Sequence, residues 1–256
     1  MPPDIDPDPR EARRLTQVTE DAHERLKLDH RLTEPQKNYH TILEQQIQQA
    51  REDLERPAAA LFLSGFAAGM DLGLGPLLMV VLYTLTADLS HAVREIMVAS
   101  AYSAGFVFVV LGRSALFTEQ TTSAVMPVLA RRIAPSRLLR LWAIVLAANL
   151  VGATVIASII AFLGPRLGVV DVAAMQAIAQ RLLAHDSLSI AASAVLAGWL
   201  MGLLSWLVVA ARDTVSQLFI VWLTTFLIGI VGLHHCIAGT VEILMAVLTP
   251  GGPPVA

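Results

Sequence analysis

Gly232-Leu233-His234-His235-Cys236-Ile237-Ala238-Gly239 decides the reading of this chain. It lies within Thr214–Val241, a block without a single Asp, Glu, Lys or Arg. Two histidines in such surroundings are costly unless they face a cavity or a partner. A similar interruption, Gly112-Arg113-Ser114-Ala115-Leu116-Phe117-Thr118-Glu119-Gln120, divides the apolar block Ile96–Ala130. The two blocks run to 35 and, counted to Thr249, 36 residues. One crossing of a bilayer takes about 20 residues, and two with a turn take over ~40. Each block therefore reads as one crossing broken into two half-helices. Backbone outside a helix survives at membrane depth only where protein or a water-filled cavity satisfies it.

Working outward, three further apolar blocks appear: Ala58–Leu89, Leu141–Pro165 and Ser187–Ala211. The first pairs with the fourth and the second with the fifth. Broken helices at matching places in two halves point to the solute path of an inverted-repeat transporter or channel. The pairing asks for a partner to Leu141–Pro165 after the fifth block, where the sequence given holds only TPGGPPVA. The expectation is an all-α membrane bundle with its second and fifth spans broken and its sixth span missing.

Charge divides the chain in two. Only 15% of the residues are charged, and 55% are hydrophobic; soluble domains carry about a quarter charged residues. Residues 1–56 hold nine Lys or Arg and thirteen Asp or Glu, against seventeen charged residues in the following 200. The domain expectation is a cytoplasmic polar tail over 1–56 and a transmembrane channel domain over 57–256. Residues 1–9 alternate Pro with Asp and should be disordered. Within the tail, Tyr39, Ile42, Leu43, Ile47, Ala50 and Leu54 share one face of a helix expected over about 36–56. That face suits packing on a neighbouring subunit or loop, a place on the membrane surface, or a plug. The opening MPPDIDPDPR lacks the features of a signal peptide. Arg131, Arg132, Arg137 and Arg140 cluster in one loop, which places that loop and the N-terminus in the cytoplasm of a multi-pass inner-membrane protein. The single cysteine, Cys236, gives no disulfide framework.

Candidate functional residues gather at the two breaks. His234 or His235 could donate a proton or a hydrogen bond to a passing anion, or satisfy carbonyls freed by the break. Thr118 could bond a solute or a histidine across the pseudo-symmetry axis, or cap the second half-helix. Leu116 and Phe117 could narrow a pore. Glu119 needs a base or a proton, and Arg113 is its expected partner unless that arginine points at the cytoplasmic surface. Asp71 and Glu242 are isolated acids. Glu242 follows His235 by two turns and shares its face if the helix continues. Adjacent His234, His235 and Cys236 diverge and make a poor metal site. No metal, cofactor or nucleic acid is expected, and no P-loop, GxSxG, CxxC or HExxH motif supports an enzyme.

Together these segments resemble the formate/nitrite transporter family. Leu116-Phe117-Thr118, NLVGA at 149–153, ARDTVSQLFIVWL at 211–223 and above all HHCIAG at 234–239 carry the resemblance, in family order from about Pro57 to Leu248. It implies an aquaporin-like protomer in a homopentamer, with a pore in each subunit. It puts His235 on the central histidine, Thr118 on the threonine that bonds it, and Leu116 with Phe117 at the cytoplasmic constriction. Its members pass formate, nitrite and related monovalent weak-acid anions. Four positions depart from the pattern. His234 stands where many members have glutamate, and Gly198 and Gly239 stand where the formate channels have asparagine. Both lysines, Lys27 and Lys37, lie in the tail, which leaves Arg181 as the nearest replacement for a vestibule lysine. The resemblance is thus to a branch other than the formate channels themselves. The expected function is passage of small weak-acid anions with His235 protonating or hydrogen-bonding the solute at an apolar constriction. The alternatives are a pore for a small neutral solute, or a membrane scaffold acting through the tail.

Overall fold

The computed structural model describes residues 37–249. The expectations for residues 1–9 and for the chain beyond Thr249 lie outside the described residues. Internal contacts divide the chain into two units, Met1–Tyr39 and His40–Ala256, and every apolar span belongs to the second.

Helix α1, Tyr39–Glu55, buries Ile42, Gln46, Ile47, Ala50 and Leu54, while Tyr39 and Leu43 stay exposed. Leu54 packs with Leu61, Ala115, Leu138 and Leu141. Pro57 precedes α2, Ala58–Leu72, which runs through Gly73 into α3, Leu74–Leu85. Next come α4, His91–Leu111, then the short α5, Phe117–Ser123, and α6, Met126–Leu129. Pro135 opens α7, Pro135–Leu163, where its missing N–H costs nothing. Helix α8, Val172–Leu183, follows, and then α9, Ser187–Ala210, α10, Thr214–Val231, and α11, Cys236–Leu248.

The described residues contain helices and no strands. Among the described residues, five segments are long and apolar enough to cross a membrane: Ala58–Leu85, His91–Leu111, Pro135–Leu163, Ser187–Ala210 and Thr214–Val231. They coincide with the five blocks read from the sequence. Helix α8 was not foreseen, since 165–186 reads as a loop between spans. Ala174, Met175, Ile178, Ala179 and Leu182 form its buried stripe, and the adjoining long apolar runs obscure that short period.

Two packings position the site. Helices α2 and α7 cross with their backbones in contact: a methyl on Gly69 would collide with Asn149 O, and one on Gly152 with Phe66 O. Helices α4 and α10 pack along each other, so both elements that stop early stand side by side. Phe106, Leu116, Met201, Ile228 and Ile237 are wholly buried in the core around them.

Candidate functional site: two facing helix ends

Helix α4 stops at Leu111, and helix structure resumes at Phe117. Arg113 takes a left-handed φ of 54°, and Ser114 N–H still bonds back to Val109 O at 3.0 Å. Ala115 and the N–H of Phe117 then lack helical partners, and side chains from elsewhere serve them. Asn149 of α7 is fully buried; its Nδ2 donates to Gly65 O at 2.7 Å and Ala115 O at 2.9 Å. Its Oδ1 accepts Phe117 N–H at 2.8 Å. Ser64 Oγ accepts Ala115 N–H at 3.0 Å. The tight α2–α7 crossing is what lets one carboxamide reach both helices.

Helix α10 stops differently. Gly232 adopts φ 73°, and Leu233 N–H reaches back to Ile228 O at 2.9 Å, the usual left-handed finish of a helix. His235 is extended, at φ −111° and ψ 118°, and caps α11 with its own ring: Nδ1 accepts Ala238 N–H at 3.2 Å. His234 N–H donates to Ser193 Oγ at 2.9 Å, and its Nε2 lies 2.9 Å from Leu182 O. A carbonyl only accepts, so Nε2 carries the proton. Nδ1, 2.9 Å from Ser193 Oγ, then accepts from that hydroxyl. His234 thus ties the second break to α8 and α9.

The two ends meet at Thr118 and His235, whose Oγ1 and Nε2 lie 2.7 Å apart. With Nδ1 accepting from the backbone, a neutral His235 must carry its proton on Nε2 and donate it to Thr118. The threonine hydroxyl proton is thereby left to donate onward. Phe106 sets its ring edge-on to His235 at 5.0 Å between centroids. Leu116 is fully buried, and Phe117 is half-buried against the same cluster. His235 itself is 4% exposed.

The remaining candidates divide. Arg113 is exposed, and among the described residues it makes no ion pair with Glu119. The expected pairing is not formed: Arg113 instead sits in a left-handed turn at the surface, before α5 begins at Phe117. Asp71, half-buried near the end of α2, has Ser114 of the first break as a hydrogen-bonding neighbour. Thr118 is one residue inside α5, behind Leu116 at the N-cap, and its hydroxyl goes to the histidine. Glu242 is 5% exposed on α11 and lines a cavity of about 320 Å³ together with Arg181. Arg181 is engaged: its guanidinium bonds both carboxylate oxygens of Glu95. No cluster of three or more metal-ligating side chains occurs among the described residues.

Sequence reasoning missed Asn149, Ser64 and Ser193. Asn149 had a signal, a lone carboxamide in a block free of charge, where a polar side chain needs partners. The serines had none, because a single hydroxyl in an apolar helix is most often satisfied by its own turn.

The model of the formate/nitrite transporter family matches residues 40–255. Inner membrane protein YfdC of Escherichia coli is 29% identical over 203 residues, covering 78% of this chain and 64% of that protein. Formate channel FocA of Haemophilus influenzae is 25% identical over 190 residues, covering 73% and 66%. The chain thus spans just under two thirds of the length of these relatives. Among solved structures, a pentameric formate channel with formate bound aligns with a TM-score of 0.62 at 25% identity, over 73% of this chain and 74% of that one. An ion channel of the same family aligns with a TM-score of 0.73 at 19% identity, over 82% and 84%, and supports the fold.

Proposed function

Because this chain belongs to the formate/nitrite transporter family, we propose that it passes small monovalent weak-acid anions, such as formate or nitrite, between its two facing helix breaks. The observation that carries this reading is the 2.7 Å contact of Thr118 with His235. It couples a proton-bearing imidazole to a hydroxyl in otherwise apolar surroundings, Phe106, Leu116 and Phe117. Moving a bare carboxylate-sized ion into a low-dielectric interior costs on the order of 20 kcal/mol in the idealised limit. A passage walled by these side chains therefore stops the free anion unless a donor meets it. His235 Nε2–H holds Thr118, and Thr118 turns its own hydroxyl proton toward the solute. The pair works as a hydrogen-bond donor with a neutral ring. Making the ring cationic would require Nδ1 to give up Ala238 N–H.

The spans α4–α5 and α10–α11 each act as one crossing broken at the pair. The Arg131–Arg140 loop and the N-terminus face the cytoplasm of the inner membrane. Five copies assemble as in the pentameric relative. The apolar side chains that α9 and α10 leave exposed, Val195, Trp199, Val215 and Phe219 among them, face lipid or neighbouring copies. In liposomes the chain should pass formate or nitrite down a gradient, and Thr118→Val should cut that flux at least about tenfold. No weak-acid flux from the assembled wild-type chain would remove the reading.

One observation favours a neutral solute instead. Arg181, the cation available to draw anions into the cavity, is already balanced by Glu95. Glycerol or urea flux that ignores pH and membrane potential, without formate flux, would establish that alternative.

A further inference from the structure

The cavity beside the second break, about 320 Å³, is lined by His91, Glu95, Tyr102, Arg181, His185 and Glu242 among others. Its charges are unequal. Arg181 is bound to Glu95, and His91 Nδ1 sits 3.3 Å from the same carboxylate. Glu242 feels Arg181 only across the cavity: among the described residues it accepts no hydrogen bond and forms no close ion pair, although it is 5% exposed. A carboxyl group at membrane depth without a fixed partner is costly to keep unless it serves a solute or a proton. Its place on the path is equally specific. Glu242 stands seven residues after His235 on one helix, about 10 Å along the axis. Tyr102 lines the same cavity and lies 5.2 Å from Phe106, whose ring meets His235 at 5.0 Å. Ring contacts from Tyr102 to Phe106 and from Phe106 to His235 thus link the cavity lining to the Thr118–His235 pair.

We propose that Glu242 is the proton-exchanging residue of this cavity, loading an arriving weak-acid anion with a proton before it reaches His235. The step is an acid–base exchange without electron transfer. The O–H bond of the Glu242 carboxyl breaks as an O–H bond forms on the anion's oxygen, and the carboxylate left behind takes a new proton from cavity water. The groups facing Glu242 are Tyr102, Glu95 and His91 from α4, Arg181 from α8, and His185 just after it. The other ionisable side chains on elements packed against α11 do not line the cavity: Arg137 and Arg140 on α7, Asp71 on α2, Tyr83 on α3 and Glu119 on α5. The assignment rests on the weak-acid reading of the Thr118–His235 pair and adds the residue that supplies the proton.

The test uses the full chain in liposomes, with formate as probe, membrane potential clamped, and lumenal pH followed alongside formate entry. The wild type should bring in one proton with each formate. Glu242→Gln, assembled like the wild type by gel filtration, should lose at least about tenfold of the formate flux at neutral pH and regain it as the outside is acidified. Glu242→Asp should restore flux at neutral pH. Formate entry carried as current without protons, or an amide variant as fast as the wild type at neutral pH, overturns the assignment. A wild type that passes glycerol but no formate at any pH overturns the weak-acid reading itself, a result distinguishable from either of those.

Discussion

The two interruptions meet across one hydrogen bond, yet they are held open by different means. The first, 112–116, is clamped from outside: Asn149 and Ser64, on α7 and α2, take up its backbone groups. The second, 232–235, is closed largely by its own residues, with Gly232 turning left-handed and His235 capping the helix after it. An external clamp makes the first break depend on a helix crossing elsewhere in the bundle. A self-capped break makes its fold depend on the same ring that bonds Thr118.

The sharpest way to break this comparison is Asn149→Leu. The leucine fills similar space but leaves Ala115 O and Phe117 N–H buried without their partner, at a cost of roughly 3 kcal/mol or more. We expect a large fall in the melting temperature of the purified oligomer and loss of flux. A variant as stable as the wild type would show that the first break also holds itself open.

At the second break, two substitutions of His235 separate cap from channel. Alanine removes both roles and should lower stability by about 1 kcal/mol, the ordinary worth of an N-cap. Asparagine, itself a good N-cap, should recover the stability without recovering flux, because its short amide cannot span to Thr118. If His235→Asn conducts formate normally, the ring matters only as a cap. Gly232→Ala is a comparable strain test. A methyl there meets open space, so only the left-handed backbone is penalised, by about 1 kcal/mol. Thermal melting of the assembled variant measures that loss.

The sequence pattern and the structure agree where charge and length dominate. Five uncharged or nearly uncharged runs become five apolar spans, and the polar clusters at 112–120 and 232–239 become the helix interruptions, because membrane-depth backbone leaves few alternatives. His235 and Thr118 were legible for the same reason: each is a polar group in an expensive place. Less legible was how each polar group is satisfied. The partner of Thr118 is fixed by the packing of α4 on α10, and the partners of Ala115 and Phe117 by a glycine-mediated crossing 32 or more residues away in sequence. Arg113 and Glu119 illustrate the limit, since spacing suggests a pair and the structure shows none among the described residues. Arg181 is similar: the family resemblance offers it in place of a vestibule lysine, but Glu95, 86 residues away, binds it.

The smallest effect comes from the caps outside the spans. Asp186 accepts the N–H groups of Leu188 and Ser189 at the start of α9, and Asp213 accepts Ser216 N–H at the start of α10. Hydrogen bonds from the Ser189 and Ser216 hydroxyls first, and from backbone N–H groups next, hold these exposed carboxylates below their ordinary value of 3.8. A carboxylate depressed in the folded state contributes stability above its ordinary value and loses it as pH falls through the folded value. Asn at both positions keeps an oxygen acceptor for the backbone but cannot titrate. The double variant should therefore melt slightly below the wild type at neutral pH, and the gap should close as the pH falls below 3.8. His235 caps with a nitrogen lone pair that protonation removes, so the two kinds of cap can be told apart by adding His235→Asn to the double variant. An acid sensitivity unchanged by the aspartate substitutions, yet reduced by the added His235→Asn, would assign it to the second break and not to the helix starts at the surface.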